Sequence, residues 1–260
     1  MMHVAVCVKQ VPDPSGVGRL DPATHCLVRE GVEVVMDPGD EYGVEAALQV
    51  AEATGGDVTV VSMGPAKALE AVRKALAMGA ARAVFISDDR LRGSDALTTA
   101  RVLAAAIART EADLVIAGTE STDGYTGTVP VAIAELLDRP ALTFAKHLEV
   151  GDGTVRIHRQ TEVGHDVVEG PLPAVVTVTG GINEPRYPSL KGIMAARGKP
   201  VEQPTLEELG IDPSTVGLAG AAQRVVAVEP AAQRAAGQVV VDDGTAAARL
   251  VAFLDDLKVI

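Results

Sequence analysis

Residues 117–128, with the sequence AGTESTDGYTGT, are the stretch of this chain best suited to bind an anion. An apolar run at 113–117 precedes them and a helical pattern at 129–137 follows, which gives the order strand, loop and helix. That order directs backbone N–H groups and a helix N-terminus at one point, where a phosphate binds well. The three glycines of the stretch allow a close approach to a ligand, and its hydroxyl side chains supply neutral donors. A plain connection between a strand and a helix is the alternative interpretation.

The composition of the chain narrows the class of ligand. The 260 residues carry a net charge of −12, and aromatic residues make up only 2% of them, with no Trp. An acidic chain with so few aromatic rings is poorly suited to nucleic acid, whose phosphates attract cations and whose bases stack on rings. Its apolar runs are shorter than the roughly 18–20 residues that a membrane span needs, so we expect no insertion into a membrane.

Cysteine usage points to a reducing compartment. Cys7 and Cys26 are the only cysteines, and they form neither a disulfide framework nor a cluster with metal-ligand spacing. The first residues lack the charged start and long apolar run of a signal peptide. We therefore expect a cytoplasmic protein.

Motifs of catalysis and metal binding are missing from the sequence. It contains no GxSxG, HExxH or CxxC, and neither of the phosphate-binding patterns GxxxxGK[ST] and GxGxxG. His147, His158 and His165 fall in strand-like runs, where surface histidines are the simplest interpretation. The sequence therefore predicts no catalytic residue and no metal site.

Strands and helices that would position the polar loop alternate along the first half of the chain. Apolar runs predict buried strands at 3–8, 57–63, 83–86 and 113–117. Helical patterns separate these runs. The alternation predicts an α/β fold, with a doubly wound, mainly parallel, Rossmann-like sheet and helices on both faces.

The predicted sheet indicates where a ligand should bind. Ligands of such sheets lie beyond the carboxyl ends of the strands, where the strand order reverses. If the first strand is central, its end at residues 7–9 lies beside residues 117–118. The pocket should then include the turn at 37–40 and Met63 at the end of the next strand. Asp40 in that turn is expected to cap the helix that follows it.

A different pattern begins after Pro140. Runs with strand character are predicted to form an antiparallel extension and one further buried strand, at 142–150, 154–160, 163–169 and 173–179. Residues 180–200 are polar and rich in Pro and Gly, and a final helix is predicted at 244–257. We therefore expect a nucleotide-binding α/β domain at 1–200 and a C-terminal arm at 201–260.

Five segments of the chain stand out as an ordered set of motifs. They are VAVCVKQVPDP at 4–14, DPGDEYGVEAAL at 37–48, SMGPAKALEAVRKALAMGA at 62–80, AGTESTDG at 117–124 and LPAVVTVTGGINEPRYPS at 172–189, with LKGIMAA directly after it. In this order they resemble the beta subunit of the electron-transferring flavoproteins. Because the set spans nearly the whole chain, chance similarity is negligible.

The resemblance implies a function in electron transfer. Members of this family form a heterodimer with an alpha subunit, which holds most of the redox-active FAD. The heterodimer passes electrons from flavin dehydrogenases, such as the acyl-CoA dehydrogenases of fatty acid beta-oxidation, to a membrane quinone oxidoreductase or another acceptor. The beta subunit has an adenine nucleotide alpha hydrolase-like fold, carries a structural AMP and has no catalytic residues. In electron-bifurcating relatives a second FAD occupies the same cavity, so AMP and FAD remain alternatives here.

The resemblance also assigns residues to the nucleotide. The segments that contact AMP in the family correspond to the same strand tips and loops that the strand order indicated. They fall on Cys7, Asp37, Pro38, Gly39, Asp40, Met63, Gly118, Thr119, Glu120, Ser121, Thr122, Asp123, Gly124, Tyr125 and Thr126. The loop STDGYTG is a few residues shorter than in the best-known members, which leaves the phosphate contacts open.

A recognition loop at 183–197 is implied to dock the partner dehydrogenases. Its residues here are Asn183, Glu184, Pro185, Arg186, Tyr187, Leu190, Ile193 and Met194. Leu190 matches the apolar anchor of the family's loop. A lysine-rich run that often follows is reduced to Lys191, Arg197 and Lys199, which predicts weaker attraction to an acidic partner. The arm at 201–260 is expected to pack on the alpha subunit.

Two other functions fit the first half of the chain alone. A stand-alone adenine-nucleotide sensor of the same fold would leave the recognition loop and the arm without a role. A nucleotide-dependent ligase would need an SGGxDS-type pyrophosphate loop after the first strand, and KQVP at 9–12 is not one. The electron carrier subunit is therefore the preferred hypothesis.

Overall fold

The computed structural model describes residues 1–229, 231, 237 and 239–260, in two units, Met1–Val226 and Ala227–Ile260. The strands are β1 (His3–Cys7), β2 (Gln10–Pro12), β3 (Val34–Met36), β4 (Asp57–Met63), β5 (Arg82–Ile86), β6 (Leu114–Gly118), β7 (Ala141–Val150), β8 (Thr154–Thr161), β9 (Gly164–Pro171), β10 (Ala174–Val178) and β11 (Val201–Glu202). The helices are α1 (Pro38–Thr54), α2 (Leu69–Met78), α3 (Ala96–Ala108), α4 (Val129–Leu136), α5 (Leu190–Ala196), α6 (Gly217–Gly220) and α7 (Ala246–Asp256).

A nine-stranded sheet forms the centre of the first unit, in the order β11-β5-β4-β1-β6-β10-β7-β8-β9. The strands from β11 to β7 pair in parallel, whereas β8 pairs antiparallel with both β7 and β9. β6 and β10 are buried along their whole length, as expected of strands covered on both faces. The predicted α/β fold, a mainly parallel sheet with an antiparallel extension, is confirmed.

Successive residues of a strand point to opposite faces of the sheet, so these apolar strands present apolar side chains on both faces. Helices cover both faces and bury those side chains. Val6 of β1 belongs to one apolar core together with Val44 of α1 and Leu76 of α2. Its neighbour Ala5 belongs to a second core that includes Val102 of α3. The alternation of strand and helix in the sequence thus becomes a three-layered arrangement around the sheet.

Three elements differ from the sequence prediction. The first half of β7 pairs in parallel with β10, with Leu142 opposite Val176, and only its second half pairs antiparallel with β8. β2 and β3 form a separate antiparallel sheet. The sequence did not predict these two strands, because three residues are too few to show a periodic pattern. α5 lies in the polar segment at 180–200, where the Ser189 Oγ caps it by accepting from the Gly192 N–H at 3.0 Å.

The first unit extends past the predicted boundary at residue 200. β11 pairs with β5, with Val201 opposite Ala83, and Leu206 is fully buried. The second unit contains α7, where the sequence predicted the final helix. Residues 230, 232–236 and 238 of the predicted arm lie outside the described residues. Packing of the arm on an alpha subunit stays a prediction. Among the described residues, no helix combines the length and the apolar character needed to cross a membrane.

Candidate functional site

The carboxyl ends of β1 and β6 lie side by side, as the sequence predicted. The two strands pair in parallel with Val6 opposite Ile116, and Cys7 lies opposite Val61 of β4. The chain therefore leaves β1, β4 and β6 at one edge of the sheet. This is the edge at which parallel sheets of this type bind their ligands.

Asp37 connects three segments of the predicted pocket. Its Oδ1 accepts from the Gly39 N–H at 2.8 Å and so caps α1. Its Oδ2 accepts from the Thr122 N–H at 2.7 Å and from the Thr122 Oγ1 at 3.0 Å. The Asp37 N–H donates to the Lys9 carbonyl at 2.9 Å. The sequence prediction that Asp40 caps this helix is wrong, because the Asp40 carboxylate points to the strand tips instead.

Asp40 is buried where α1 approaches the tip of β6. One of its carboxylate oxygens accepts from the Lys9 N–H at 2.7 Å. A Cβ placed on Gly118 would lie 2.8 Å from the other carboxylate oxygen and 3.4 Å from the carbonyl carbon of Gly39. Since real side chains do not tolerate the shorter distance, only glycine permits this approach of helix to strand.

Replacing Asp40 with Asn should change how the stability of the chain depends on pH. Burial, and secondly the charge of Asp37, raises the pKa of Asp40 from 3.8 to about 8. Between these values the folded chain binds more protons than the unfolded chain, so the native free energy of unfolding falls as the pH rises. The Asp40→Asn variant lacks this contribution.

Urea unfolding of both chains across this pH window measures the difference. The stability of Asp40→Asn relative to the native chain should increase with pH. Asp152→Asn, an exposed change in a hairpin turn, should follow the native curve and is the control. An Asp40→Asn curve parallel to the native one would contradict the predicted pH dependence.

Asp123 lies between two cations. The Lys9 Nζ donates to its Oδ1 at 2.6 Å and to the Ser121 Oγ at 3.1 Å, and the Arg29 Nη2 donates to its Oδ2. The Asp123 side chain is 3% exposed, whereas those of Lys9 and Arg29 are 41% and 38% exposed. Burial acts to raise the pKa of Asp123, but the two cations outweigh it and hold the pKa below its usual range. We refer to Lys9, Arg29 and Asp123 as the charge cluster.

Arg29 is a residue of this site that the sequence analysis missed. It lies between β2 and β3 in a polar segment, 94 positions before Asp123. Neither spacing nor a motif marks it in the sequence. Only the folding of this segment toward the 119–126 loop brings its guanidinium to the charge cluster.

The remaining residues of the predicted loop divide between its inner and outer sides. The Thr119 Oγ1 donates to the Val178 carbonyl at 3.1 Å, and the Tyr125 N–H donates to the Ser121 carbonyl at 2.9 Å, which closes a turn. Tyr125 has a positive φ of 47°. The exposed positions of the loop are Glu120, Gly124, Tyr125 and Thr126. The structure thus brings part of the predicted set inward and leaves these four at the surface.

Cys7 and Met63 line the strand tips as apolar groups. Both are partly buried and pack against the second core. Burial, and secondly the charge of Asp40, raises the pKa of the Cys7 thiol to about 12. The thiol is therefore protonated at neutral pH and is not a nucleophile, because the thiolate is the reactive form. The described residues also contain no group of three or more metal-ligating side chains.

Two cavities of the first unit lie away from the strand tips. One of about 340 Å³ is lined by Arg82 and Arg109, which form ion pairs with Asp57 and Glu202. The other, of about 250 Å³, lies within the segment between β2 and β3. At the tips themselves, the pair of Lys9 and Asp123 bridges the strand and the loop.

Residues 183–197 present apolar side chains to solvent. The exposed fractions are 95% for Tyr187, 75% for Leu190, 67% for Met194 and 47% for Ile193. Large apolar side chains grouped at a surface are typical of a site of protein contact. The N-terminal part of the segment is held to α1, since the Asn183 Nδ2 donates to the Tyr42 carbonyl at 3.0 Å.

Comparison with known proteins identifies the family and confirms the resemblance seen in the sequence. The model of the electron transfer flavoprotein domain matches residues 24–209. The chain is 43% identical to the electron transfer flavoprotein subunit beta of Mycobacterium tuberculosis, over the full length of both. Identity to the same subunit of Thermoanaerobacterium thermosaccharolyticum is 39%, over 92% of each chain. Subunit CarD of the caffeyl-CoA reductase-Etf complex of Acetobacterium woodii is 40% identical, over 84% of this chain and 83% of that subunit. The chain therefore belongs to the electron transfer flavoprotein family, as a beta subunit with a role in electron transfer.

Proposed function

We propose that this chain forms a heterodimer with an alpha subunit that carries electrons from flavin dehydrogenases, such as acyl-CoA dehydrogenases, to a membrane quinone oxidoreductase or another acceptor. In this proposal the chain binds AMP at the tips of β1 and β6. It docks partner proteins through residues 183–197, which we term the docking segment. Membership of the family supports the electron-transfer role.

One observation carries the proposal of a nucleotide site. Asp37 joins the first turn of α1, the tip of β1 and the 119–126 loop through hydrogen bonds of 2.7 to 2.9 Å. A loop fixed in this way keeps one shape at the edge of the sheet where nucleotides bind, with Ser121 beside the Lys9 ammonium. The geometry supports a preformed site.

The charge cluster fits a phosphate group. Two cations, Lys9 and Arg29, face the single carboxylate of Asp123, so the cluster keeps a net positive charge. The phosphate of AMP would share these cations, and the hydroxyl of Ser121 would add a neutral donor. The strand tips, with Cys7 and Met63, would supply the apolar lining.

The electron-transfer step needs no acid or base from this chain. FAD, held mainly by the alpha subunit, supplies the redox chemistry when it is bound. The described residues of this chain would contribute binding of the nucleotide, support of the heterodimer and presentation of the docking segment. A bound AMP would stabilise the folded subunit by mass action.

An Arg29→Gln change should weaken AMP binding about tenfold, since a hydrogen bond to a charged group contributes roughly 1.5–3 kcal/mol. The change removes one cation of the charge cluster and puts a shorter, neutral polar side chain in its place. The measurement is the amount of AMP released on denaturation of heterodimer that has been dialysed extensively.

Arg19→Gln is the matched control, since Arg19 is an exposed arginine of the same segment between β2 and β3. It removes an equal charge from the chain without touching the charge cluster. Equal retention of AMP by the two variants would contradict the role of Arg29.

The identity of the nucleotides in the purified heterodimer tests the proposed function as a whole. One FAD and one AMP released per heterodimer would support it. Two FAD would favour a bifurcating protein, the alternative that the family resemblance left open. A colourless monomer that binds ATP tightly would favour the nucleotide sensor instead.

A further inference from the structure

We propose that Arg186 is a positioning residue that fixes the docking segment on α1 and so prepares its apolar side chains for a partner. This inference rests on the proposed function, because it concerns how the docking segment acts. It assigns a role to an ion pair between elements far apart in the chain.

The Arg186 guanidinium makes paired hydrogen bonds to two acids of α1. Its Nε lies 2.7 Å from the Glu45 Oε2, and its Nη2 lies 3.0 Å from the Glu45 Oε1. Its Nη1 and Nη2 also reach the Glu52 carboxylate, at 2.5 and 3.2 Å. The Arg186 backbone N–H donates to the Glu45 Oε2 at 3.2 Å. A planar guanidinium held by two carboxylates fixes both the position and the orientation of the chain.

Burial of Glu45 makes the ion pair with Arg186 costly to break. The Glu45 side chain is 5% exposed, and that of Arg186 is 34% exposed. A buried carboxylate without a cation is strongly unfavourable, so Glu45 retains Arg186. Burial acts to raise the pKa of Glu45, but the hydrogen bonds from Arg186 outweigh it and lower the pKa. The pair is therefore charged at neutral pH.

The other end of the docking segment is fixed on α2. A Cβ on Gly192 would lie 2.4 Å from the Ala77 carbonyl oxygen, so α5 packs against α2 at a distance that only glycine allows. The Arg73 Nη1 donates to the carbonyls of Ala196 and Lys199, at 2.7 and 3.0 Å. Residues on both sides of the exposed apolar patch are thus held in place.

This arrangement lowers the conformational cost of docking. A segment that is ordered before it meets a partner loses little conformational freedom on binding, so its affinity for the partner is higher. Tyr187 and Leu190 lie between Arg186 and Gly192, Met194 lies between Gly192 and Ala196, and all three are mostly exposed. Loss of Arg186 should release the attachment to α1 and leave the attachment to α2 intact.

The test uses the purified heterodimer and an acyl-CoA dehydrogenase reduced by its substrate. Arg186→Ala should raise the KM for the dehydrogenase about tenfold, with kcat and FAD content unchanged. Arg186→Lys, which keeps the charge but not the paired geometry, should raise KM about threefold. Glu45→Gln should raise the KM about as much as Arg186→Ala does. The double variant Glu45→Gln/Arg186→Ala should raise the KM no further than either single change, since the two residues act as a pair. If Arg186→Ala does not fold, Arg186→Lys and Glu45→Gln decide the question.

Arg90→Ala is the matched control, because Arg90 also bridges two acids, Asp88 and Glu207, but outside the docking segment. It should keep the native KM. A native KM in the Arg186 and Glu45 variants, with a raised KM in Leu190→Ala, would overturn the role of Arg186 and leave the proposed function intact. A native KM in Leu190→Ala as well would contradict the docking role of the segment itself. A lower kcat with lost FAD would show that Arg186 is only structural, which also overturns the inference.

Discussion

An Asp37→Ala variant should lose AMP and unfold at a lower denaturant concentration than the native chain. The change removes the cap of α1, which costs about 1 kcal/mol. It also leaves the Thr122 N–H without its acceptor, at a further cost of roughly 1–3 kcal/mol for a group of low exposure. Asp37 is fully buried, so water does not readily replace the lost carboxylate. Because the same side chain holds the 119–126 loop to the strand tips, stability and nucleotide content should fall together.

Two milder variants separate the functions of Asp37. Asp37→Asn can still accept from the Gly39 N–H and cap the helix, but its amide would face the Thr122 N–H as a second donor. It should keep most of the stability and lose much of the AMP. Thr122→Val removes only the 3.0 Å contact from the hydroxyl and should have a smaller effect on both. Urea unfolding and nucleotide release are the measurements, and normal AMP content in Asp37→Ala would contradict this account of the site.

A Leu190→Ala variant should slow electron transfer from dehydrogenases and leave the flavin content unchanged. Leu190 is 75% exposed in the free chain, so its truncation costs little in folding. Burial of a leucine in a complex contributes about 1.5–3 kcal/mol, most of which alanine loses. The KM for a dehydrogenase should therefore rise about tenfold, while the rate with a small artificial acceptor stays unchanged.

Leu97→Ala provides the control for this prediction. Leu97 is also exposed, at 50%, but lies in the first turn of α3, outside the docking segment. Steady-state kinetics with varied dehydrogenase concentration should show a native KM for this variant. Loss of flavin from Leu190→Ala with a native KM would show that Leu190 supports the fold and does not bind partners.

The sequence by itself determined the sheet and the place of the candidate site. The apolar runs that form β1, β4 and β6 are rich in Val and Ala and show no polar face, which is typical of parallel strands covered by helices on both sides. With that fold, a general rule places ligands at the carboxyl edge of the sheet. The neighbouring tips of β1 and β6 followed from one added condition, that the first strand is central, and the strand order meets that condition.

Only the tertiary structure decided which side chains meet at that edge. Asp37 and Thr122 are 85 positions apart, Arg29 and Asp123 are 94 apart, and Arg186 and Glu45 are 141 apart. A periodic pattern reports whether a position is buried, but not which distant partner it meets. Which distant residue a side chain contacts depends on the strand order and on the paths of the loops. The wrong assignment of the helix cap to Asp40 has the same origin, because a local rule cannot foresee that a strand tip offers this carboxylate better donors.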